Sequence, residues 1–429
     1  MLVHLKTLGC RLNEAELETW SRDFHQRGHQ MTRDVEKAGL VIINTCAVTE
    51  EAVKKSRKLL RKAQRENPGA KLVITGCYAS LEPGQTAEIE GVDLIIPNSD
   101  KPRLVSIIHQ QLDLPEEDNA LIENDTSPLL FSGRQRAFIK VQDGCRYRCT
   151  YCIVTLARGE ESSRSIKDII DEINILSSQG IKEVVLTGVH LGGYGAGLKS
   201  NLAELVQEAL KSTDMQRIRM GSLEPWELYD DFWKLFENPR VMPHLHLPLQ
   251  SGANSVLRRM ARRCKTEDFA QLLTQARDVN PLFNITTDII VGFPGETRDE
   301  WQQSLSFIEQ CNFGHIHIFA FSPRQGTKAA TLPDPISRDI KRQRSEQLHQ
   351  LAARMKQDNL EKMLGQQTSV LFEGNQQLNP DASITWSGYS PNFQRVKVTT
   401  RQNDLCNQIL DVQLENSLLN DELSGQLID

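Results

Sequence analysis

Cys145, Cys149 and Cys152 stand in a C-x3-C-x2-C spacing, directly after an apolar run over 137–141 that reads as a strand. Three thiolates on one short loop can hold three irons of a 4Fe–4S cluster, because soft thiolate sulfur matches iron. No fourth cysteine lies in the run, so one iron would keep an open site. Zinc is the rival metal, but structural zinc sites close four ligands, commonly in paired C-x2-C units. Three unrelated buried thiols are the bland alternative, since free cysteine packs as a small hydrophobe. The spacing argues against it.

A second set of cysteines is spread over residues 1–115. Strand patterns at 4–8, 40–45 and 71–76 run into Cys10, Cys46 and Cys77, and helical patterns follow at 13–26, 49–65 and 83–90. A fourth strand at 92–96 and a helix from Pro102 complete the alternation. Repeated βα units of this kind predict an open parallel sheet with covering helices. Ligands of such sheets sit at the carboxyl ends of the strands, where the three cysteines could converge on one point. Their sequence separation is too wide to show convergence, and small residues packed under helices would look the same.

The stretch 113–136 is polar and broken by proline, a linker. Beyond it, strands are expected at 137–141, 183–187, 217–221, 244–249, 285–291 and 315–321, with helices between them. Six βα units in series predict a partial (βα)6 barrel. Polar and glycine-bearing words stand where these strands end: Thr187-Gly188, Ser222 and Glu224, Gln250-Ser251-Gly252, and Asp288 before Gly292. Barrel chemistry belongs at that rim, although any one of these residues could serve only a turn. A long charged helix over 336–364 closes the unit. From 366 the pattern turns to short β pieces at 368–372, 395–399 and 408–413, a small all-β domain. The expected fold is mixed α/β in three domains, 1–115, 131–364 and 366–429. Within the last, Trp386, Tyr389 and Phe393 could stack on bases or fill a small core.

The chain has 429 residues, 39% apolar and 25% charged, the composition of an ordinary globular protein. No run of about 18 apolar residues marks a membrane span, and the quickly polar start does not read as a secretory signal. Nine cysteines in so long a chain are not a disulfide scaffold, and the expected compartment is the cytoplasm. A net charge of −6 leaves nucleic-acid binding to local patches. One is Lys54, Lys55, Arg57, Lys58, Arg61, Lys62 and Arg65, seven cations within twelve positions of one helix. A second lies around Arg258 and Arg262. Either could be a phosphate surface or a solvated helix face. The C-terminal module carries eight acidic residues against three basic ones and is a poor electrostatic dock for RNA. Cys264 and Cys311 fall in helical contexts outside any motif and read as core.

The C-x3-C-x2-C word is similar to the signature of radical S-adenosylmethionine (SAM) enzymes. The words around it, C-x-Y-C-I-V, A-R-G and S-R-S, resemble the methylthiotransferase branch. The resemblance implies a 4Fe–4S cluster on Cys145, Cys149 and Cys152, whose open iron is chelated by SAM for one-electron cleavage to a 5′-deoxyadenosyl radical. G-C-R-L-N-E, N-T-C-x-V-T and T-G-C-Y-A look like the ligand motifs of that branch's N-terminal domain, implying a second 4Fe–4S cluster on Cys10, Cys46 and Cys77. It further implies that Thr187, Gly188, Ser222, Glu224, Gln250 and Asp288 line the SAM or substrate pocket. The β module stands in the place of a TRAM domain, an OB-like RNA-binding module. R-I-R-M-G-S-x-E-P, H-L-H-L-P-L-Q-S-G-A and T-T-D-I-I-V-G-F-P-G-E-T are most similar to the threonylcarbamoyladenosine subgroup, which implies a tRNA substrate and an external electron donor. Rival expectations are the isopentenyladenosine tRNA enzyme, an enzyme modifying a ribosomal-protein aspartate, and a non-catalytic iron–sulfur RNA-binding protein. The acidic C-terminal module favours the ribosomal protein among these.

Overall fold

The computed structural model describes residues 1–114, 135–228 and 230–428. The expected linker and the domain limits at 115 and 131 lie almost wholly outside them. The chain divides into two compact units.

The first unit comprises 1–132, 138–162 and 322–330. Its sheet has strands β1 (Leu2–Thr7), β2 (Gln30–Met31), β3 (Leu40–Thr45), β4 (Lys71–Gly76) and β5 (Leu94–Ile96), all parallel in the order β2-β1-β3-β4-β5. The central strand β3 is buried along its whole length, as the apolar run Leu-Val-Ile-Ile requires of a strand covered on both faces. Alternation divides its side chains. Leu40 and Ile42 pack with Trp20, Phe24, Leu104 and Ile108 on one face, while Val41 and Ile43 meet Leu60, Ala63 and Tyr78 on the other. The covering helices include α1 (Arg11–Gln26) and α2 (Glu50–Glu66). The Thr49 hydroxyl caps α2, accepting from the Ala52 N–H at 3.1 Å. Where one helix was expected over 83–90, two short ones occur, Cys77–Leu81 and Pro83–Ala87. Pro83 lacks an N–H and begins a new helix rather than continuing the first.

The second unit comprises 133–137, 163–321 and 331–429. Strand Glu183–Thr187 pairs in parallel with Arg217–Met220, and His244–His246 pairs with Asn284–Val291, which pairs with His315–Ala320. Single bridges, Ile218 to Val241 and Ser222 to His246, carry the parallel order between the two groups. The expected long helix spans Arg338–Glu361. The five C-terminal strands, Gln367–Leu378, Ile384–Tyr389, Arg395–Thr400, Ile409–Leu414 and Leu423–Leu427, close into a barrel around Val370, Phe372, Trp386, Val396, Val398 and Val412.

This small barrel is bonded to the amino ends of the parallel strands. Arg217 donates to the carbonyls of Tyr389 and Ser369 at 3.0 and 3.1 Å, and Arg219 donates to the Pro391 carbonyl at 3.1 Å. Tyr389 and Phe393 stack at 4.8 Å, and the guanidinium groups of Arg136 and Arg219 lie over the Phe393 ring at 4.9 and 4.7 Å. Trp386 is core. Trp386, Tyr389 and Phe393 are thus occupied within the protein.

Candidate functional site

Strands β1, β3 and β4 are neighbours, so the chain leaves the same sheet edge at Cys10, Cys46 and Cys77. Gly9 and Gly76 sit in left-handed backbone, φ +105° and +100°. A Cβ on Gly9 would lie 2.8 Å from the Cys46 Sγ, and one on Gly76 would lie 2.3 Å from the Thr45 carbonyl oxygen. Both close approaches draw the cysteines together. Desolvation pushes the buried Cys46 thiol up to about 11 and raises that of Cys10, a residue otherwise exposed, and each also lies in the field of Cys77. Clustered, desolvated thiols of this kind are costly to ionise alone and are stabilised as thiolates by a cation or a cationic cluster. They fit a three-thiolate iron–sulfur site.

The C-x3-C-x2-C loop lies in the same unit. The Cys152 N–H donates to the Cys149 carbonyl at 3.0 Å, the Cys145 N–H donates to the Gly159 carbonyl at 3.2 Å, and all three cysteines are half-buried. The short helix Val154–Arg158 follows. Its last residue, Arg158, donates to Glu16 Oε1 at 2.7 Å, to Asn13 Oδ1 at 2.6 Å and to Asp143 at 3.2 Å. Glu16 also receives Lys101 at 2.5 Å and Lys140 at 3.1 Å. Burial alone would raise the pKa of Glu16, but Lys101, Arg158 and Lys140 hold it well below the ordinary carboxylate range. Asn98 donates to the Ala157 carbonyl at 2.7 Å and lies 3.9 Å from the Cys77 Sγ. Sequence reasoning missed this set. Asn13 and Glu16 stand one helical turn apart just after Cys10, and that i, i+3 pairing was the available signal.

In the second unit most rim residues stand at or just beyond strand ends, but Asp288 is the fifth of the eight residues of Asn284–Val291. Thr187 is the buried last residue of its strand, Gly188 follows half-buried, and Ser222 bridges to His246. Gln250 takes φ +74° and donates its N–H to the Asp288 carbonyl at 2.8 Å. The Asp288 carboxylate lies 3.2 Å from His246 Nε2, and ligand atoms of His246, Asp288 and His317 all fall within 4.8 Å of one another. The histidine pairs at 244/246 and 315/317, two residues apart on strands, were the signal for this cluster. Glu224 pairs with Arg262 at 2.7 Å. Arg262 was expected on an RNA-facing patch. Its side chain is instead 2% exposed, lies 4.4 Å over the Trp226 ring and donates to the Pro248 carbonyl. Arg258 is exposed.

On α2, Lys54, Lys55, Lys58, Arg61, Lys62 and Arg65 are exposed. Arg57 is committed to the fold, donating to the Tyr78 hydroxyl at 2.8 Å and to Gln85. Lys55 and Lys62 pair along the helix with Glu51 and Glu66 at 3.9 and 3.5 Å. Among the described residues Lys54, Lys58, Arg61 and Arg65 make no ion pair. In the C-terminal barrel, Arg395 and Lys397 both pair with Glu422.

Residues 2–97 match the model of Uncharacterized protein family UPF0004, and 139–308 match the Radical SAM superfamily. The threonylcarbamoyladenosine tRNA methylthiotransferase MtaB of Thermotoga maritima is 36% identical over 378 residues, 86% of either chain. This chain belongs to the radical SAM methylthiotransferases. SAM and 4Fe–4S clusters are accordingly the cofactors of this methylthiotransferase. A second relative, the tRNA-2-methylthio-N(6)-dimethylallyladenosine synthase of Geobacillus kaustophilus, is 31% identical over 88% of this chain and 74% of its own. Among solved structures, the radical SAM methyltransferase TsrM of Kitasatospora setae superposes with a TM-score of 0.54 over 77% of each chain. At 16% identity, that likeness shows the fold alone. Among the described residues, no helix is long and apolar enough to cross a membrane.

Proposed function

We propose that this methylthiotransferase replaces the C2 hydrogen of N6-threonylcarbamoyladenosine at position 37 of tRNA with a methylthio group. The observation that carries the reading is the 36% identity, across 86% of both chains, to a relative named for that nucleoside. In this reading Cys145, Cys149 and Cys152 hold the SAM-cleaving cluster, and Cys10, Cys46 and Cys77 hold the auxiliary one. When bound, these groups supply a SAM-derived 5′-deoxyadenosyl radical, with an electron from an external donor, and the sulfur chemistry. A second SAM would supply the methyl group.

The chain's own residues bind and orient. Thr187, Gly188, Ser222 and Gln250 present hydroxyl and backbone groups at or just beyond the carboxyl ends of parallel strands, and Asp288 adds a carboxylate from within its strand, where SAM and the adenine would be held. Glu224, paired with Arg262, forms the same rim. Lys54, Lys58, Arg61 and Arg65 on α2 in the first unit, and exposed Arg258 in the second, each offer phosphate contacts that the acidic C-terminal barrel does not.

Mass spectrometry of tRNA nucleosides from cells lacking the gene tests the substrate. Loss of 2-methylthio-N6-threonylcarbamoyladenosine, with its unmethylthiolated parent accumulating, is expected. Its retention alongside loss of the methylthiolated dimethylallyl nucleoside would transfer the assignment to the second relative's substrate.

A further inference from the structure

We propose that Arg158 is a positioning residue that locks the C-x3-C-x2-C loop to the edge carrying Cys10, Cys46 and Cys77 and places a surplus positive charge there. The proposal rests on the assignment of one cluster to each cysteine set. One guanidinium joins both sets. Asp143, two residues before Cys145, and Arg158, six after Cys152, come from the loop. Asn13 and Glu16 come from the first turns of α1 after Cys10. The network reaches the other two cysteines as well. Asn44, two residues before Cys46, donates to Glu16 Oε2 at 2.9 Å, and Asn98 bridges Ala157 and the Cys77 sulfur.

The Arg158 side chain is 1% exposed and that of Glu16 3%. Burying such a pair costs several kcal/mol of desolvation, and well-packed apolar residues often do as well for stability. What apolar packing cannot supply is directional geometry. A planar fork holding three separate acceptors fixes both loops in register, whereas a lysine ammonium would not. The charges also fail to cancel. In the ion pairs among the described residues, Arg158, Lys101 and Lys140 share two carboxylates, Glu16 and Asp143. Arg158 acts electrostatically on both Cys10 and Cys77. Positive charge beside thiolate ligands favours the more negative state of a cluster and so raises its reduction potential.

The test uses Arg158→Lys and Arg158→Gln in the full-length protein after anaerobic reconstitution. The first readout is an electron paramagnetic resonance titration of the auxiliary cluster, in a background where Cys145, Cys149 and Cys152 are alanine. Arg158→Gln should move the potential to more negative values, and Arg158→Lys should stay near the parent. The second readout, with all cysteines present, is the ratio of methylthio product to 5′-deoxyadenosine. It should fall about tenfold or more in both variants, because small misplacements of reacting groups carry large rate costs. A merely structural arginine would lower iron content and both products in step, leaving the ratio and the potential unchanged. That result would overturn the proposal. If Arg158→Gln did not fold, an unchanged ratio in Arg158→Lys would overturn it equally. Should the parent protein make no methylthio product, the functional reading fails, while the potential shift still reports on Arg158.

Discussion

Gly9 holds its φ of +105° directly against Cys46, leaving no room for a methyl group. Gly9→Ala would push Cys46 off the shared edge and strain a backbone that L residues rarely adopt, at a cost of about 1–3 kcal/mol. Iron content should drop from roughly eight to roughly four per chain after reconstitution, since the C-x3-C-x2-C set is untouched. Retention of the full complement would show that the edge tolerates the change. At this scale the sequence was informative wherever spacing was local. Cys145, Cys149 and Cys152 lie within one loop and declare themselves. Cys10, Cys46 and Cys77 needed the sheet order, because adjacency of β1, β3 and β4 is a tertiary fact. Arg158 stands out only as part of a family word, since Asn13 and Glu16, its partners on α1, lie more than a hundred residues away in sequence.

Among the elements, α2 keeps the exposed cations its sequence suggested, while the aromatics of the C-terminal barrel turn inward. From the sequence, Trp386, Tyr389 and Phe393 could either stack on bases or fill the small core. In the structure Trp386 is core, and Phe393 is held under Arg136 and Arg219. Phe393→Ala should therefore destabilise the protein by about 1–3 kcal/mol in denaturant unfolding and leave tRNA affinity within about twofold. A large affinity loss without destabilisation would return Phe393 to the RNA. Charge reversal at Lys54, Lys58, Arg61 and Arg65 should do the opposite. It weakens binding and lowers the salt slope by roughly 0.7–0.9 per lost phosphate contact, with the melting transition little changed. An unaltered slope would make α2 a solvated face. Arg57 is left out of that test because it braces Tyr78.

Across the whole molecule, the expected three-part layout of α/β sheet, partial barrel and β module describes the strands well, but it does not show how they associate. All six motif cysteines fall in one compact unit, and the C-terminal barrel falls in the other with the strands that carry the polar rim. The buried Glu183, 2.9 Å from Arg219, belongs to the joint between parallel strands and C-terminal barrel. Arg219→Met would remove that carboxylate's nearest partner, leaving Arg217 at 3.9 Å, and should cost about 3 kcal/mol, with Glu183→Gln in the same chain recovering part of it. The most direct test of the account compares Cys46→Ala with Cys149→Ala, each checked for folding by circular dichroism and for iron. Both 5′-deoxyadenosine and methylthiolated nucleoside would be measured with reductant, SAM and tRNA. Cys149→Ala should form neither. Cys46→Ala should still cleave SAM and form no methylthio product. Multiple turnovers of methylthiolated adenosine by Cys46→Ala would contradict the division of labour between the two cysteine sets.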